Sequence, residues 1–239
     1  MRLFAIGDIH GHFLELTGLV GQLAGDGMAP ERDTIVFLGD AVDSGPDTKR
    51  VVDQLMEWQR TYPHWVFLMG NHDALMIDAL DREDDVERFS LWFSQGGEET
   101  YLSYLGDRAA SDGKQDLPRP SAIVPEEHRQ WLRGLALFHE TDQYIFVHAG
   151  LRPTRAPEKN TRHDMLWIRE PFIRSEYDWG KRVIFAHTPV REPLVMPNKI
   201  GIDTLPRDLG KLCAVELDPV DRSIEPRFFF EVAEEGEWE

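Results

Sequence analysis

The chain has 239 residues, and its 41% hydrophobic and 10% aromatic content excludes an intrinsically disordered protein. Its formal net charge of −17 argues against nucleic acid as a partner, because an acidic surface repels the phosphate backbone. The single cysteine, Cys213, excludes a disulfide framework and a cysteine-based metal site, and we expect it to be a small buried strand residue.

The N-terminal segment and the apolar runs bear on localisation. No apolar run approaches the roughly 18 residues that a membrane span needs, and Asp8 comes too early for a signal peptide. We therefore expect a cytoplasmic enzyme without a membrane partner. Because no linker or low-complexity tract divides the chain, we expect one domain over residues 1–239, and the oligomeric state is left open.

Five short apolar segments predict strands that are buried on both faces, because they do not alternate with polar residues. Each segment is followed within two residues by a side chain that can bind a metal. The segments cover residues 3–6, 34–38, 65–69, 144–147 and 183–186, and the polar residues that follow are Asp8, Asp40, Asn71, His148 and His187.

Helical spacing of apolar residues separates the first three strands, at residues 13–24 and 47–62. Strands that alternate with helices predict an α/β layered fold. Further helices are expected at 92–105 and 125–137, further strands at 199–203, 211–218 and 227–232, and a long loop at 106–124. We expect His128 and His139, which fall in or beside these segments, to be structural.

The carboxyl ends of strands in an open α/β sheet surround the crevice in which ligands bind. The five polar residues are therefore expected to meet in one crevice. His10 joins them, because it lies two positions after Asp8 and two residues of this spacing at a strand end point to the same side. The glycines at positions 7, 39 and 70 allow the sharp turn after each strand.

The resulting set of two aspartates, one asparagine and three histidines offers oxygen and nitrogen ligands without thiolate. That mixture favours manganese, iron or zinc over calcium or magnesium. Six protein ligands exceed what one catalytic ion with open positions uses, so we expect two divalent ions that share one carboxylate. Asp40, central in the sequence of ligands, is the candidate for this bridging position.

Three segments resemble the motifs of the calcineurin-like metallophosphoesterases, and more narrowly those of the bacterial phosphoprotein phosphatase family. They are GDIHG at 7–11, GDAVDSG at 39–45 and GNHD at 70–73. HAG at 148–150 and AHT at 186–188 match the two later histidine motifs of that family, so the resemblance runs in order to about residue 190. It implies a fold of two packed mixed β-sheets flanked by helices.

The resemblance also implies a division of the ligands between the two ions. Asp8, His10 and Asp40 would hold one ion, and the other would be held by four residues that include Asp40 again. These four are Asp40, Asn71, His148 and His187.

Catalytic roles follow from the same resemblance. His72 is the candidate general acid, and Asp43 is the carboxylate expected to orient it. Asn71 and Arg169 are the candidate substrate-binding residues, with Arg169 contacting the phosphate. Many members of the family carry a second phosphate-binding arginine where this chain has Ser44.

Other departures concern the motif ends. Asp73, in place of glutamate, resembles bacterial members, including symmetrical diadenosine tetraphosphatases. Residues 203–206 read Asp-Thr-Leu-Pro where the family often has Asp-Thr-Gly-Ala, so we expect a rebuilt loop there.

Three functions are compatible with these residues. The favoured one is a serine/threonine-type phosphoprotein phosphatase in which a metal-activated water attacks a phosphorylated protein or a small phosphoester. The alternative is a symmetrical dinucleoside polyphosphate hydrolase, which needs room for two nucleosides, and the short chain has no obvious insertion that could cover them. A metal-binding scaffold without catalysis is the third, and the presence of His72, Asp43 and all six ligands argues against it.

Overall fold

The computed structural model of the protein describes residues 1–106, 118–205 and 210–232. Within these ranges the chain forms two five-stranded β-sheets with helices on their outer faces. The strands are β1 Leu3–Ile6, β2 Thr34–Phe37, β3 Val66–Phe67, β4 Phe138–Glu140, β5 Tyr144–Val147, β6 Arg182–Phe185, β7 Leu194–Met196, β8 Lys199–Gly201, β9 Lys211–Leu217 and β10 Arg227–Val232. The helices are α1 Phe13–Gly25, α2 Thr48–Thr61, α3 Asn71–Asp81, α4 Val86–Trp92, α5 Glu98–Leu105, α6 Pro120–Ile123, α7 Glu126–Arg133, α8 Arg162–Trp167 and α9 Glu170–Ile173.

Both sheets mix parallel and antiparallel pairs. The first has the order β10-β9-β1-β2-β3, in which β1 pairs in parallel with β2 and β2 with β3. The second has the order β4-β5-β6-β8-β7, in which β5, β6 and β8 are parallel. The predicted fold of two mixed sheets flanked by helices is confirmed.

Three hydrophobic clusters explain why the central strands lack alternation. One cluster lies between the inner faces of the two sheets and contains side chains such as Ala5, Val36 and Phe146. A second packs the other face of the first sheet against the helices, and a third packs the second sheet against α8 and α9. Strands β1, β5 and β6 are consequently buried along their whole length, as expected for strands covered on both sides.

Several predicted boundaries differ from the structure. The helix expected at 92–105 is broken, because a kink at Gly96 in the segment Phe93–Gly97 separates α4 from α5. The expected strand at 65–69 narrows to β3, and β4 and β7 are strands that the apolar pattern missed. The expected loop at 106–124 is wrong in part, since α6 lies inside it, and its residues 107–117 fall outside the described ranges.

Two smaller expectations can be compared with the described residues. Cys213 lies in β9 and is 1% exposed, as expected of a small buried strand residue. None of the helices in residues 1–106, 118–205 and 210–232 is long and apolar enough to cross a membrane.

Candidate metal centre and active site

The two sheets meet so that the carboxyl ends of five strands face one crevice. Asp8, Asp40 and Asn71 follow β1, β2 and β3 of the first sheet, while His148 and His187 follow β5 and β6 of the second. The crevice therefore lies between two sheets, whereas the strand pattern alone suggested the edge of one open sheet.

The more deeply placed part of the crevice, which we call the inner triad, consists of Asp40, His148 and His187. Their ligand atoms lie within 4.8 Å of one another, and all three residues are buried. Asn71 completes this group, since its Oδ1 lies 2.7 Å from both His148 Nε2 and His187 Nδ1. The structure thus brings together all four residues expected around one ion.

The part nearer to solvent, which we call the outer triad, consists of His10, Asp40 and His72, again within 4.8 Å of one another. His10 Nε2 lies 3.7 Å from Asp40 Oδ2, while its Nδ1 lies 3.0 Å from the carbonyl oxygen of Val42. His72, the candidate general acid, thus lies beside two of the expected metal ligands, His10 and Asp40.

Asp8 lies against the inner triad. Its Oδ2 accepts a hydrogen bond of 3.1 Å from the backbone N–H of His187, and its Oδ1 lies 3.6 Å from His148 Nδ1. The His10 ring lies in the same crevice, on the side of Asp40 that faces the outer triad. Asp40 therefore touches both groups, which is the position that a bridging carboxylate requires.

Backbone strain is concentrated at this crevice. Six non-glycine residues in the described part of the chain have positive φ, and five of them belong to the site or its adjoining turn. Such conformations cost about 1–3 kcal/mol each and persist only where the surrounding contacts impose them. The five residues are His10, Asp40, Asp43, Ser44 and His187.

Close backbone approach holds the ends of β2 and β3 together. A Cβ at Gly70 would lie 1.9 Å from Asp40 Oδ1, so only glycine fits there. The Asp73 carboxylate accepts hydrogen bonds of 2.8–3.0 Å from the backbone N–H groups of Gly70, Asp40 and Ala41. These bonds fix the direction in which the Asp40 side chain leaves its strand.

Buried carboxyl groups accumulate negative charge at the site. Burial raises the pKa of Asp8 well above its usual value, and the nearby Asp203 and Asp40 raise it further. Burial also raises the pKa of Asp40 to about 8, although His72 opposes this effect. The pKa values of Asp73 and Asp203 rise to about 6, again mainly through burial. Such a cluster needs protons or cations to compensate its charge.

The hydrogen-bond geometry of His148 fits a cation. Its Nδ1 lies 2.9 Å from the carbonyl oxygen of Leu38, and its Nε2 lies 2.7 Å from Asn71 Oδ1. Burial lowers the pKa of His148 well below its usual value, so the ring carries one proton. With Nδ1–H donating to Leu38 and Oδ1 of the Asn71 amide turned toward the ring, Nε2 and Oδ1 are two acceptors in contact. A bound cation would be held there by His148 Nε2, Asn71 and Asp40.

Asp8 supports the same conclusion. Its Oδ1 is buried without a hydrogen-bond partner, which is costly for a carboxylate oxygen. The carboxylate, imidazole and amide ligands at this crevice are those of a divalent transition-metal site. The residues present therefore fit the metal ions that the sequence led us to expect.

His72 and Asp43 form a pair beside the outer triad. His72 Nδ1 lies 2.9 Å from Asp43 Oδ2. Burial lowers the pKa of His72, but the charges of Asp40 and Asp43 and the Asp43 hydrogen bond outweigh it and raise the pKa to about 9. With Nδ1 engaged by Asp43, the protonated ring can donate a proton from Nε2.

Arg169 lies at the opposite side of the crevice. Its Nε donates a hydrogen bond of 3.2 Å to His187 Nε2, and its guanidinium is exposed. Trp167 is 37% exposed, and its ring lies edge-on to that of His187, with 6.0 Å between the centroids. His163 stacks on Trp167 with a centroid distance of 6.4 Å. A positive group and a flat aromatic surface thus border the metal ligands.

Sequence reasoning missed four residues that shape the site. In the sequence, Asp73 stands out only as a departure from glutamate, and Asp203 only as part of a loop expected to be rebuilt. Trp92 and Thr100, which both contact Asp43, were placed on an ordinary helix. The glycine pair that follows Trp92 was the available signal, since glycines inside a helical segment often mark a kink. The other two residues of the expected rebuilt loop, Thr204 and Leu205, are buried, and Pro206 lies outside the described ranges.

Comparison with known proteins identifies the family. The calcineurin-like phosphoesterase family matches residues 1–204, so the chain belongs to that family. It is 26% identical over 207 residues to serine/threonine-protein phosphatase 1 of Salmonella typhimurium, covering 85% of this chain and 86% of that protein. It is 25% identical over 229 residues to the asymmetrical bis(5'-nucleosyl)-tetraphosphatase PrpE of Geobacillus sp. (strain WCH70), covering 85% of each.

Solved structures support the same fold. A crystal structure of a putative diadenosine tetraphosphatase matches with a TM-score of 0.67 at 20% identity, covering 98% of this chain and 95% of that one. A serine/threonine phosphatase from Saccharomyces cerevisiae matches with a TM-score of 0.59 at 15% identity, covering 99% and 82%. The chain is thus a metal-dependent phosphoric ester hydrolase by family, and its relatives carry two different substrate names.

Proposed function

We propose that this calcineurin-like phosphoesterase is a two-metal phosphomonoesterase that acts on phosphoserine and phosphothreonine in proteins. One observation carries the proposal. Six candidate ligand side chains line one crevice together with His72, which is paired with Asp43, and Arg169 contacts His187, one of these candidates. No serine or cysteine nucleophile is needed in such a site.

The metal ligands would be Asp8, His10, Asp40, Asn71, His148 and His187, with Asp40 shared. When bound, the two divalent ions lower the pKa of a water molecule and neutralise the phosphate charge for in-line attack. Manganese is the proposed metal, with iron or zinc as alternatives, because the set mixes carboxylate and imidazole ligands without thiolate.

His72 has the geometry of a general acid. Its Nδ1 is occupied by Asp43, so the ring presents Nε2 toward the crevice. A serine alkoxide is a poor leaving group and must be protonated as its bond to phosphorus breaks. The proton on Nε2 of His72 is the one we assign to this step.

Arg169 would bind the phosphate. Its guanidinium is exposed at the rim of the crevice, and within the described residues its hydrogen bonds go to neutral acceptors of His187, while its charge also acts on Asp203. In a chain with a net charge of −17, such a local positive group favours an anionic substrate. Ser44, at the position where many family members have arginine, has a neutral hydroxyl and supplies no second positive charge.

Trp167 favours a second candidate, a dinucleoside polyphosphate hydrolase. Its partly exposed ring borders the proposed metal ligands, and an adenine could stack on it. Base stacking on an aromatic side chain contributes about 1–3 kcal/mol. Several relatives named bis(5'-nucleosyl)-tetraphosphatase agree with this candidate.

Measuring the two substrates in separate, parallel assays distinguishes the two functions. The manganese-loaded enzyme is given a phosphoserine peptide and diadenosine tetraphosphate in parallel, and kcat/KM is measured for each. The proposal predicts the larger value for the peptide. A larger value for the dinucleotide, lost in Trp167→Ala while peptide hydrolysis is kept, would replace the first function with the second. Failure to hydrolyse either, with metal bound, would indicate a scaffold.

A further inference from the structure

The Asp43 carboxylate is held from two sides. It is fully buried, and its Oδ1 accepts hydrogen bonds of 2.9 Å from both Trp92 Nε1 and Thr100 Oγ1. Its Oδ2 is left for His72 Nδ1, also at 2.9 Å. Oδ1 therefore accepts the hydrogen bonds of Trp92 and Thr100, and Oδ2 contacts the proposed acid, His72.

Thr100 is engaged by Asp43 twice. Its hydroxyl oxygen accepts a hydrogen bond of 2.8 Å from the backbone N–H of Asp43, while its hydroxyl proton goes to Asp43 Oδ1. Thr48 Oγ1 lies 3.1 Å from the same hydroxyl oxygen. Because the Thr100 proton is already committed, Thr48 is the donor in that contact. The direction of the Thr100 hydroxyl is thereby fixed.

The kinked helix explains how Trp92 and Thr100 reach the same atom. In a straight α-helix, residues eight positions apart lie about 12 Å apart along the axis. Here the segment Phe93–Gly97 is kinked, because Gly96 leaves helical geometry with a φ of 103°. The chain folds around Asp43 so that both donors point to it.

The two glycines of this kink are closely packed, Gly96 against the loop that carries Asp43 and Gly97 against the Trp92 ring. A Cβ at Gly96 would lie 2.6 Å from Ser44 Oγ, and one at Gly97 would lie 2.6 Å from the Trp92 ring. The carbonyl oxygen of Gly96 accepts a hydrogen bond of 3.0 Å from the backbone N–H of Ser44. These contacts support the left-handed backbone of Asp43 and Ser44, whose φ angles are 72° and 69°.

We propose that Trp92 and Thr100 are positioning residues for phosphoester hydrolysis, acting through Asp43 to fix the His72 ring in the crevice. The inference rests on the proposed role of His72. Without the two donors, the carboxylate can rotate, and the Nε2 of His72 loses its fixed direction toward the leaving-group oxygen. Neither residue is among the proposed metal ligands or substrate-binding residues.

The test compares Trp92→Phe and Thr100→Val with two matched controls. Trp65→Phe removes an equally buried indole N–H, whose 3.0 Å bond to the Asp33 carbonyl lies outside the site. Thr100→Ser keeps the hydroxyl that Thr100→Val removes. For each variant, kcat and KM are measured with phosphoserine, which leaves as an alkoxide, and with p-nitrophenyl phosphate, which leaves as a stabilised phenolate. Bound metal and thermal stability are measured alongside.

We expect Trp92→Phe and Thr100→Val to lower kcat for phosphoserine about tenfold, less than the ~10²–10⁴ that loss of a general acid costs. The kcat for p-nitrophenyl phosphate, the KM values and the metal content should change little. Thr100→Ser should restore most of the loss, and Trp65→Phe should lower stability without this selectivity. Equal losses on both substrates, or losses no larger than those of Trp65→Phe, would overturn the proposal.

His72→Asn separates the two levels of the inference. If it reduces phosphoserine hydrolysis selectively while Trp92→Phe and Thr100→Val do not, only the positioning role is wrong. If His72→Asn itself shows no selectivity between the substrates, the general acid is wrongly assigned and the positioning role falls with it.

Discussion

In the outer triad the side chains of His10 and His72 each keep 16% of their surface exposed, whereas His148 in the inner triad is fully buried and His187 is 5% exposed. The pKa values diverge accordingly. Burial, together with the positive charge of Arg169, lowers the pKa of His187 to about 3, while the carboxylates around His72 raise its pKa to about 9. We therefore expect His148 and His187 to offer electron pairs to a metal and His72 to donate a proton.

The difference arises from the neighbours that the fold supplies. His148 and His187 follow strands of the second sheet and lie buried beside Asp8 and Asn71. His72 begins α3 next to a turn of the first sheet, where Asp43 is held by a kinked helix. Exposure alone does not decide the role, because His10 is as exposed as His72 but directs its Nδ1 to a backbone carbonyl.

Asp40→Asn should have the largest effect, because Asp40 is the one side chain that both triads share. We expect bound metal to fall well below two ions per chain and kcat/KM to fall by ~10³-fold or more, since each ion contributes several kcal/mol. Elemental analysis and steady-state kinetics at saturating Mn²⁺ measure both. Asp47→Asn, which removes a surface carboxylate paired with Arg50, is the control. Full occupancy in Asp40→Asn would contradict a shared ligand.

His72→Asn tests the contrast between the triads directly. Phosphopeptide hydrolysis should fall by ~10²–10⁴, whereas hydrolysis of p-nitrophenyl phosphate should fall far less, because its leaving group hardly needs a proton. Metal content should be unchanged. If the variant instead loses an ion, His72 is a ligand of the outer triad, and the two triads are alike. Asp43→Asn should show the same selectivity in milder form.

Arg169→Ala should have a smaller effect. Loss of a hydrogen bond to a charged phosphate costs about 1.5–3 kcal/mol, so kcat/KM should fall about 10- to 150-fold without loss of metal. Arg174→Ala is a control at the other end of α9, since Arg174 pairs with Glu170 on the surface. Unchanged kinetics in Arg169→Ala would remove this residue from the substrate site.

Much of this arrangement could be predicted from the sequence, because its signals are local. An apolar segment followed by glycine and a polar residue defines both the strand and the position of Asp8, Asp40 or Asn71. The roles of the histidines could not be derived in this way. Whether a histidine is protonated depends on carboxylates that are distant in sequence, as with His72 and Asp43, 29 positions apart.

The kinked helix shows the same limit. Apolar periodicity predicts a continuous helix through residues 92–105, and only the contact with Ser44 explains why Gly96 leaves helical geometry. The expected single domain over residues 1–239 stays a prediction. Asp203, likewise, belongs to the site because the chain that leaves β8 passes against Gly7 at the end of β1, a contact between the two sheets that no local pattern predicts.

The smallest expected effect concerns the stability of the metal-free protein. The pKa of Asp40 is about 8 in the folded protein and about 3.9 in an unfolded chain. Between these values the folded protein holds a proton that the unfolded chain has released. The free energy of unfolding therefore falls as the pH rises through this window. Asp73 and Asp203, with pKa values of about 6, act in the same direction over the lower part of it.

Urea denaturation at pH 6 and pH 8, with a chelator or with Mn²⁺, measures this dependence. The metal-free protein should be less stable at pH 8, because the buried carboxylates then repel one another. Bound cations favour the ionised carboxylates, so Mn²⁺ should stabilise the protein more at pH 8 than at pH 6. Metal-free Asp40→Asn should show a shallower decline, since one of the titrating groups is gone. If the metal-free protein were equally stable at both pH values, the charge of the two triads would be compensated by something other than protons and metal.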